Sequence, residues 1–288
     1  MEAHHLSYQT LHLSNIGFRN QIWIGDTAIL KVYGENNQNG YALESWFYET
    51  VHPDYAPKLL GKGKMWILLE RISGEGLFRL WRTYTDAQRE DAVRQIAAIA
   101  CAINHVPWEG AAAFLPHSEP YGAALLDCIR TRYHILVKNN WIKPELAAQA
   151  YQYVQQNIGV FDDEKLYLVY NDLHFDNLIV RDDGKIFLLD YEMMAIAPKD
   201  LVLDVWQRML IHPFTYANEE DHPLTKPEDY SKLLCWMQKY APELFMHPDV
   251  RKRVILYGIQ YEFDILCEFP LAEGPMERIA IYLKNALW

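Results

Sequence analysis

An aspartate at position 172, an asparagine five residues later at 177, and an aspartate thirteen residues beyond that at 190 form the most informative spacing in the sequence. The first two lie in Tyr170-Asn171-Asp172-Leu173-His174-Phe175-Asp176-Asn177, and the third follows the apolar run Ile186-Phe187-Leu188-Leu189 and opens Asp190-Tyr191-Glu192. Phosphoryl transfer needs a carboxylate to orient and deprotonate an attacking hydroxyl, and oxygen ligands to hold magnesium on the phosphates. Asp172 suits the first role, and Asn177 and Asp190 the second. A cation for the phosphates completes the set, and Lys31 is positioned for it at the end of Ala28-Ile29-Leu30-Lys31. Glu44 is the favoured partner of Lys31, in competition with Glu49. An Asp and an Asn in a loop also serve as turn formers, and a strand-end lysine often places its head in solvent. The second carboxylate, arriving in register after its own strand, weighs for chemistry.

These residues must be held by a framework, and the sequence outlines one. Ile22-Trp23-Ile24, Gly25-Asp26 and Thr27–Tyr33 read as a β-hairpin around a turn dipeptide. Leu43, Phe47 and Val51 recur at helical spacing across residues 40–51, and Lys64–Glu70 reads as a buried strand. After Ser73-Gly74-Glu75-Gly76 the texture changes. Thr85-Asp86-Ala87-Gln88 is a capping-box pattern that opens a helix through Val93, Ile96, Ala100 and Ile103. Further helices are predicted over about 121–138 and 144–157, with Pro144 suited to a first turn. Residues 166–170, 177–180 and 185–189 read as an island of three strands, with Asp182-Asp183-Gly184 turning between the last two. Amphipathic runs at 201–211, 228–240 and 248–269 form a helical tail, broken by a polar loop at 212–227.

At 288 residues, two unequal lobes sharing a cleft are expected. Half of the residues are apolar, which supports a sizeable core rather than disorder. The balance of 27 basic against 38 acidic residues gives −11, which argues against nucleic acid as a partner and weakly favours a cationic small molecule. Four scattered cysteines, with no C-x-x-C pair, suggest neither zinc nor disulfides and fit a reducing compartment. No signal-peptide pattern and no long uncharged apolar window is present, so a cytoplasmic protein with no membrane partner is expected.

Several other residues admit bland readings. His174 is read as loop support, because the base in this chemistry is the aspartate. His4, His5 and His12 lack a ligand set and are read as surface or tail residues. Asp204 either braces the catalytic loop or caps a helix. In the segment 257–268, Tyr257, Tyr261, Asp264 and Glu268 share a helical face that either packs on the core or faces a substrate.

At Asn171-Asp172-Leu173-His174 through Asn177 and at Leu189-Asp190-Tyr191-Glu192 the chain resembles the aminoglycoside phosphotransferase and choline kinase superfamily, with loops H-G-D-L-H-P-G-N or H-N-D-x-x-x-x-N followed by I-D-[FWY]-E. The likeness runs from about Leu13 to Trp206. It takes in Lys31 in a V-A-I-K-like strand and the segment Leu68–Gly74, which is similar to that family's lobe connector. Two departures are Tyr170, where the family has histidine, and a nucleotide loop, Asn15–Asn20, with Gly17 as its single glycine.

The resemblance implies a bilobal, protein-kinase-like α+β fold. Residues 1–74 would form an N-terminal nucleotide-binding lobe of antiparallel sheet with one helix, and 75–288 a mostly helical catalytic and substrate-binding lobe. It implies ATP, or GTP, with magnesium as cofactors, and Lys31, Glu44, Gly17 and Glu70 on the nucleotide. Asp264, Glu268 and Tyr261 would lie on the acceptor side. The expected activity is transfer of the γ-phosphoryl group to a hydroxyl of a small polar cationic, aminoglycoside-like molecule. The alternatives are a choline or ethanolamine kinase and a catalytically dead nucleotide-binding scaffold. A protein kinase fits poorly, because Asp190 is followed by Tyr191-Glu192 and Pro198 comes soon after.

Overall fold

The structure is a computed structural model, and it describes residues 11–14, 20–117, 120–162, 164–216, 223–272 and 274–284. Its first part is an antiparallel sheet built from β1 (His12–Leu13), β2 (Asn20–Ile24), β3 (Ala28–Tyr33), β4 (Leu59–Gly63) and β5 (Trp66–Glu70), in the order β1-β2-β3-β5-β4. The Gly25-Asp26 turn sets the β2–β3 register, with Ile24 opposite Ile29 and Ile22 opposite Lys31. On the far side of β3, Lys31 lies opposite Ile67 of β5. Helix α1 (Gln38–Thr50) buries Leu43, Glu44, Phe47 and Tyr48 on its inner side. Its long apolar side chains face the sheet because burial of each stabilises by about 1.5–3 kcal/mol.

The remainder is mostly helical. A short strand β6 (Glu75–Gly76) and helix α2 (Leu77–Trp81) lead into α3 (Asp86–Asn104), α4 (Tyr121–Lys138) and α5 (Pro144–Asn157). Helix α3 opens on a complete capping box, Thr85 accepting from the Gln88 N–H and Gln88 accepting from the Thr85 N–H. Strand β7 (Tyr167–Tyr170) precedes the hairpin β8 (Leu178–Val180) and β9 (Ile186–Leu188), and β10 (Met194–Ala197) follows. The expected single island is in fact two small sheets, because β7 pairs with β10 while β8 pairs with β9 on one side and β6 on the other. Helices α6 (Leu203–Ile211), α7 (Leu233–Tyr240), α8 (Val250–Glu268) and α9 (Gly274–Leu283) complete the chain. No helix of the described residues is long and apolar enough to cross a membrane.

Aromatic packing positions the segment between β7 and β8. Leu173 and Phe175 are fully buried, alternating with the polar Asp172 and His174. The Phe175 ring lies 4.5 Å from Trp81, 6.2 Å from Trp206 and 6.0 Å from Tyr230. The loop is thus anchored by its apolar residues while its polar ones face outward.

Between α8 and α9, the Arg278 guanidinium makes a two-point contact with buried Glu262, at 2.6 and 2.7 Å, and the Tyr282 hydroxyl donates to the same carboxylate at 3.3 Å. Removing one partner leaves a charge with neither water nor a counterion. Arg278→Ala is expected to lower the unfolding free energy by about 3–5 kcal/mol in urea denaturation, and the paired change Arg278→Met with Glu262→Leu to recover most of it.

Candidate active site

Lys31 projects from β3 into the space between the two parts of the chain, its side chain only 5% exposed. Its ammonium lies 2.7 Å from Glu44 Oε2 on α1 and 3.0 Å from Asp190 Oδ1, with Glu192 Oε1 at 3.9 Å. Burial alone would depress the lysine pKa, but the carboxylates of Glu44, Asp190 and Glu192 outweigh it and hold the amine above its usual range, fully protonated. Glu49, the competing candidate, faces outward and pairs with Lys62 at 2.7 Å. Glu44 is held from three directions: Lys31, the Tyr33 hydroxyl at 2.5 Å and the Tyr191 N–H at 3.3 Å. The Tyr191 ring stacks on Phe47 at 4.4 Å, which fixes the Asp190-Tyr191-Glu192 turn under α1.

Asp190 itself has φ of +61°, a left-handed conformation that is uncommon outside glycine and costs roughly 1–3 kcal/mol. One hydroxyl helps to hold it after β9. Tyr170 donates toward the Asp190 and Leu189 carbonyls, at 2.7 and 3.1 Å, and accepts from Asn177 Nδ2 at 3.0 Å. A tyrosine at the family's histidine position therefore ties the loop to the turn. Its ring, buried at the end of β7, leaves the hydroxyl no solvent to compete with.

Asn177 spends its amide hydrogens within the loop, on the Tyr170 hydroxyl, on the Asp172 carbonyl at 2.9 Å and on Asp172 Oδ2 at 3.1 Å. That leaves its side-chain carbonyl oxygen as the atom presented outward. His174 Nδ1 accepts from the Asp176 N–H at 3.3 Å, and its Nε2 lies 3.4 Å from Asp172 Oδ2 and 3.3 Å from Asn177 Nδ2. Burial would raise the Asp172 pKa, but the hydrogen bonds from His174 and Asn177 and the field of Arg208 more than offset it, holding the carboxyl below its usual range. The result is a carboxylate, 35% exposed and ionised at neutral pH, that can accept a proton from a hydroxyl brought to it.

The donor set suits a hard divalent cation. Asp190 is 39% exposed, the Asn177 carbonyl oxygen is available, and oxygen atoms are what magnesium takes. Glu44, Asp190 and Glu192 also place carboxylate oxygens within 4.8 Å of one another.

Other predicted residues lie further off. Gly17 is outside the described residues, as are His4 and His5. Glu70 ends β5 opposite Ala28, on the face of the sheet away from Lys31, with its carboxylate 3.5 Å from the Lys58 N–H. Tyr261 lies under the Arg208 guanidinium at 3.4 Å, and Tyr216 stacks on His174 at 5.0 Å. Asp264 is bound to Arg132 at 2.6 Å, and Glu268 is exposed at the end of α8. The predicted face therefore runs from core to surface, and the buried carboxylate of α8 is Glu262 instead. Asp204 does not cap α6, which begins after Val202 with no side-chain cap; it pairs with Arg208 at 3.2 Å, and burial pushes its pKa up to about 6.

Sequence reasoning gave no role to Asn20, Asn37 or Glu192. The one available signal was the D-x-E spacing, which puts two carboxylates at one turn.

A model of the phosphotransferase enzyme family matches residues 17–207, more than half of the chain. A search of the curated proteins gave no match. Among solved structures, the chain is similar to a thermostable mutant of aminoglycoside phosphotransferase APH(4)-Ia in a ternary complex with ADP and hygromycin B, at TM-score 0.69 and 14% identity, covering 96% of this chain and 94% of that one. It is similar also to the GDP complex of aminoglycoside 2'-phosphotransferase-IIIa, at TM-score 0.68 and 14% identity, covering 98% and 94%. A third is macrolide 2'-phosphotransferase MphH from Brachybacterium faecium, at TM-score 0.62 and 15% identity, covering 98% and 95%. At these identities the likeness is one of fold, bilobal and kinase-like, and the family match carries the rest. The chain belongs to the phosphotransferase enzyme family.

Proposed function

We propose that the protein transfers the γ-phosphoryl group of ATP, with magnesium, to a hydroxyl of a small polar cationic molecule of aminoglycoside-like chemistry. The observation that carries this reading is Lys31, whose ammonium sits within 3.0 Å of both Glu44 and Asp190 and so brings the cation of the sheet to the half-exposed carboxylate after β9. The net charge of −11 supports a cationic acceptor. Solved neighbours hold streptomycin with ATP in one case and GDP with kanamycin in another, which makes GTP an admissible donor as well. Residues 1–74 would form the nucleotide lobe and 75–288 the catalytic and acceptor lobe.

In this mechanism Asp172 accepts the acceptor's hydroxyl proton as the oxygen attacks the γ-phosphorus. The bond from that phosphorus to the bridging oxygen breaks, and the nucleoside diphosphate leaves with the bond's electron pair. Lys31, kept charged and aimed by Glu44, holds the phosphate oxygens, with the loop around Gly17 and the connector at Glu70 seating the rest of the nucleotide. Asn177 and Asp190 would hold the magnesium ion, which when bound neutralises phosphate charge. His174 keeps Asp172 ionised and oriented. Tyr261, under the Arg208 guanidinium, would belong to the acceptor wall, with Asp264 and Glu268 further along α8.

Asp172→Ala is expected to lower kcat by about 10²–10⁴-fold while nucleotide affinity stays near wild type. Asp190→Ala should weaken magnesium-nucleotide binding as well as turnover. Both are measured by calorimetry and by ADP release against a panel of aminoglycosides, choline, ethanolamine and amino-alcohols. Wild-type turnover in Asp172→Ala would sink the assignment, and nucleotide binding without release on any acceptor would favour a scaffold.

A pH profile tests the setting of the base. A depressed folded pKa keeps Asp172 deprotonated down to acid pH, so kcat/KM should show no limb from this group between pH 8 and 5. His174→Ala removes the Nε2 donor, and the acid limb is expected to move to higher pH. An unmoved limb would show that His174 does not set the charge of Asp172.

A further inference from the structure

Glu192, two residues past Asp190, has its carboxylate gripped by side chains distant in sequence. Asn20 Nδ2 at the start of β2 lies 3.0 Å from both Oε1 and Oε2, and Asn37 Nδ2 lies 2.6 Å from Oε2. The two asparagines are joined in turn, Asn37 Nδ2 to Asn20 Oδ1 at 3.0 Å. The Glu192 side chain is 8% exposed, so these amides replace solvent around a charge.

Two features of α1 are adapted to this contact. Asn37 occupies the N-cap position, where asparagine ordinarily accepts from a backbone N–H of the first turn, yet it makes no side-chain cap. Its amide serves Glu192 instead. Gly40, in that first turn, leaves room for the arrangement: a Cβ there would stand 2.3 Å from Asn37 Oδ1 and 2.9 Å from Glu192 Oε2. The carboxylate also meets the positive end of the helix.

We propose that Glu192 is a positioning residue, an inter-lobe strut that, through Asn20 and Asn37, holds the Asp190 turn in register with Lys31 and with the start of β2; this rests on the nucleotide-site reading given above. The rival role is magnesium ligand, suggested by the proximity of Glu192 to Asp190 and Glu44. Against it, both Glu192 oxygens already accept amide hydrogens, and the carboxylate is far less exposed than Asp190. The strut joins β2, which follows Gly17 in sequence, to the turn carrying Asp190. Its loss should therefore loosen nucleotide binding and leave acceptor recognition alone.

The test is a polarity exchange. Asn37→Asp sets a carboxylate against Glu192, whereas Asn37→Asp combined with Glu192→Gln restores one donor facing one acceptor. The single change is expected to raise the KM for nucleotide about tenfold, with the acceptor KM unchanged, in line with loss of a hydrogen bond to a charged group. The double variant should return to within about threefold of wild type, and Gly40→Ala should resemble the single change. A double variant as impaired as Asn37→Asp would overturn the strut, as would a Glu192→Gln variant whose only defect is a raised magnesium requirement. The same cycle read by urea denaturation of the ligand-free protein must show favourable coupling between positions 37 and 192. Strict additivity there overturns the strut whether or not the protein phosphorylates any acceptor.

Discussion

A lysine ammonium taken out of water is tolerated only beside compensating charge, and Lys31 sets that condition for the whole cleft. Its two close partners come from α1 and from the turn after β9, so neutralising one cation joins the sheet, its helix and the end of a strand nearly 160 residues away in sequence. The apolar contacts agree with the charges. Leu43 and Phe47 lie on the buried side of α1, and Phe47 stacks on Tyr191. Glu44 then has no freedom to leave Lys31, because the helix that carries it is fixed on both sides.

A second constraint acts on the loop between β7 and β8. Leu173 and Phe175 are held in an aromatic nest, and between them Asp172, His174 and Asn177 hydrogen-bond one another, so the loop is anchored from below and closed on itself above. The Tyr170 hydroxyl links this unit to Asp190. What the position supplies is one donor and one acceptor, and a phenol carries both. The ring itself lies in the core at the end of β7.

What the sequence made legible was local. The Gly25-Asp26 turn, the Thr85–Gln88 capping box and Pro144 in a first turn are encoded in a few adjacent residues, and the elements begin where those signals stand. The carboxylates were readable because their spacing is set by one loop and one hairpin. Pairings between distant segments were not. Strand β4 carries no strand signal of its own, since Leu59-Leu60-Gly61-Lys62-Gly63 has two glycines, and its pairing with β5 makes it a strand. Strand β10 likewise exists by pairing with β7. Helix α9 went unread because its charged Glu277 and Arg278 interrupt the apolar run, although Arg278 is buried against Glu262. Asn20 and Asn37 gave no signal at all, since neutral amides acquire meaning only from Glu192, more than 150 residues away.

The charge count of the cleft bears on what the fold can hold. Three carboxylates, Glu44, Asp190 and Glu192, surround one lysine, so the group carries surplus negative charge in a poorly solvated space. Each carboxylate manages this differently. Glu44 is fully buried and satisfied by the lysine, a phenol and a backbone N–H; Glu192 is solvated by two side-chain amides; Asp190 keeps more than a third of its side chain open. Asp190 is therefore the one member of the group that solvent can reach. That is where a divalent cation has access to a carboxylate oxygen, and under the proposed mechanism the positive charge of magnesium would there offset the surplus carboxylate charge of the group.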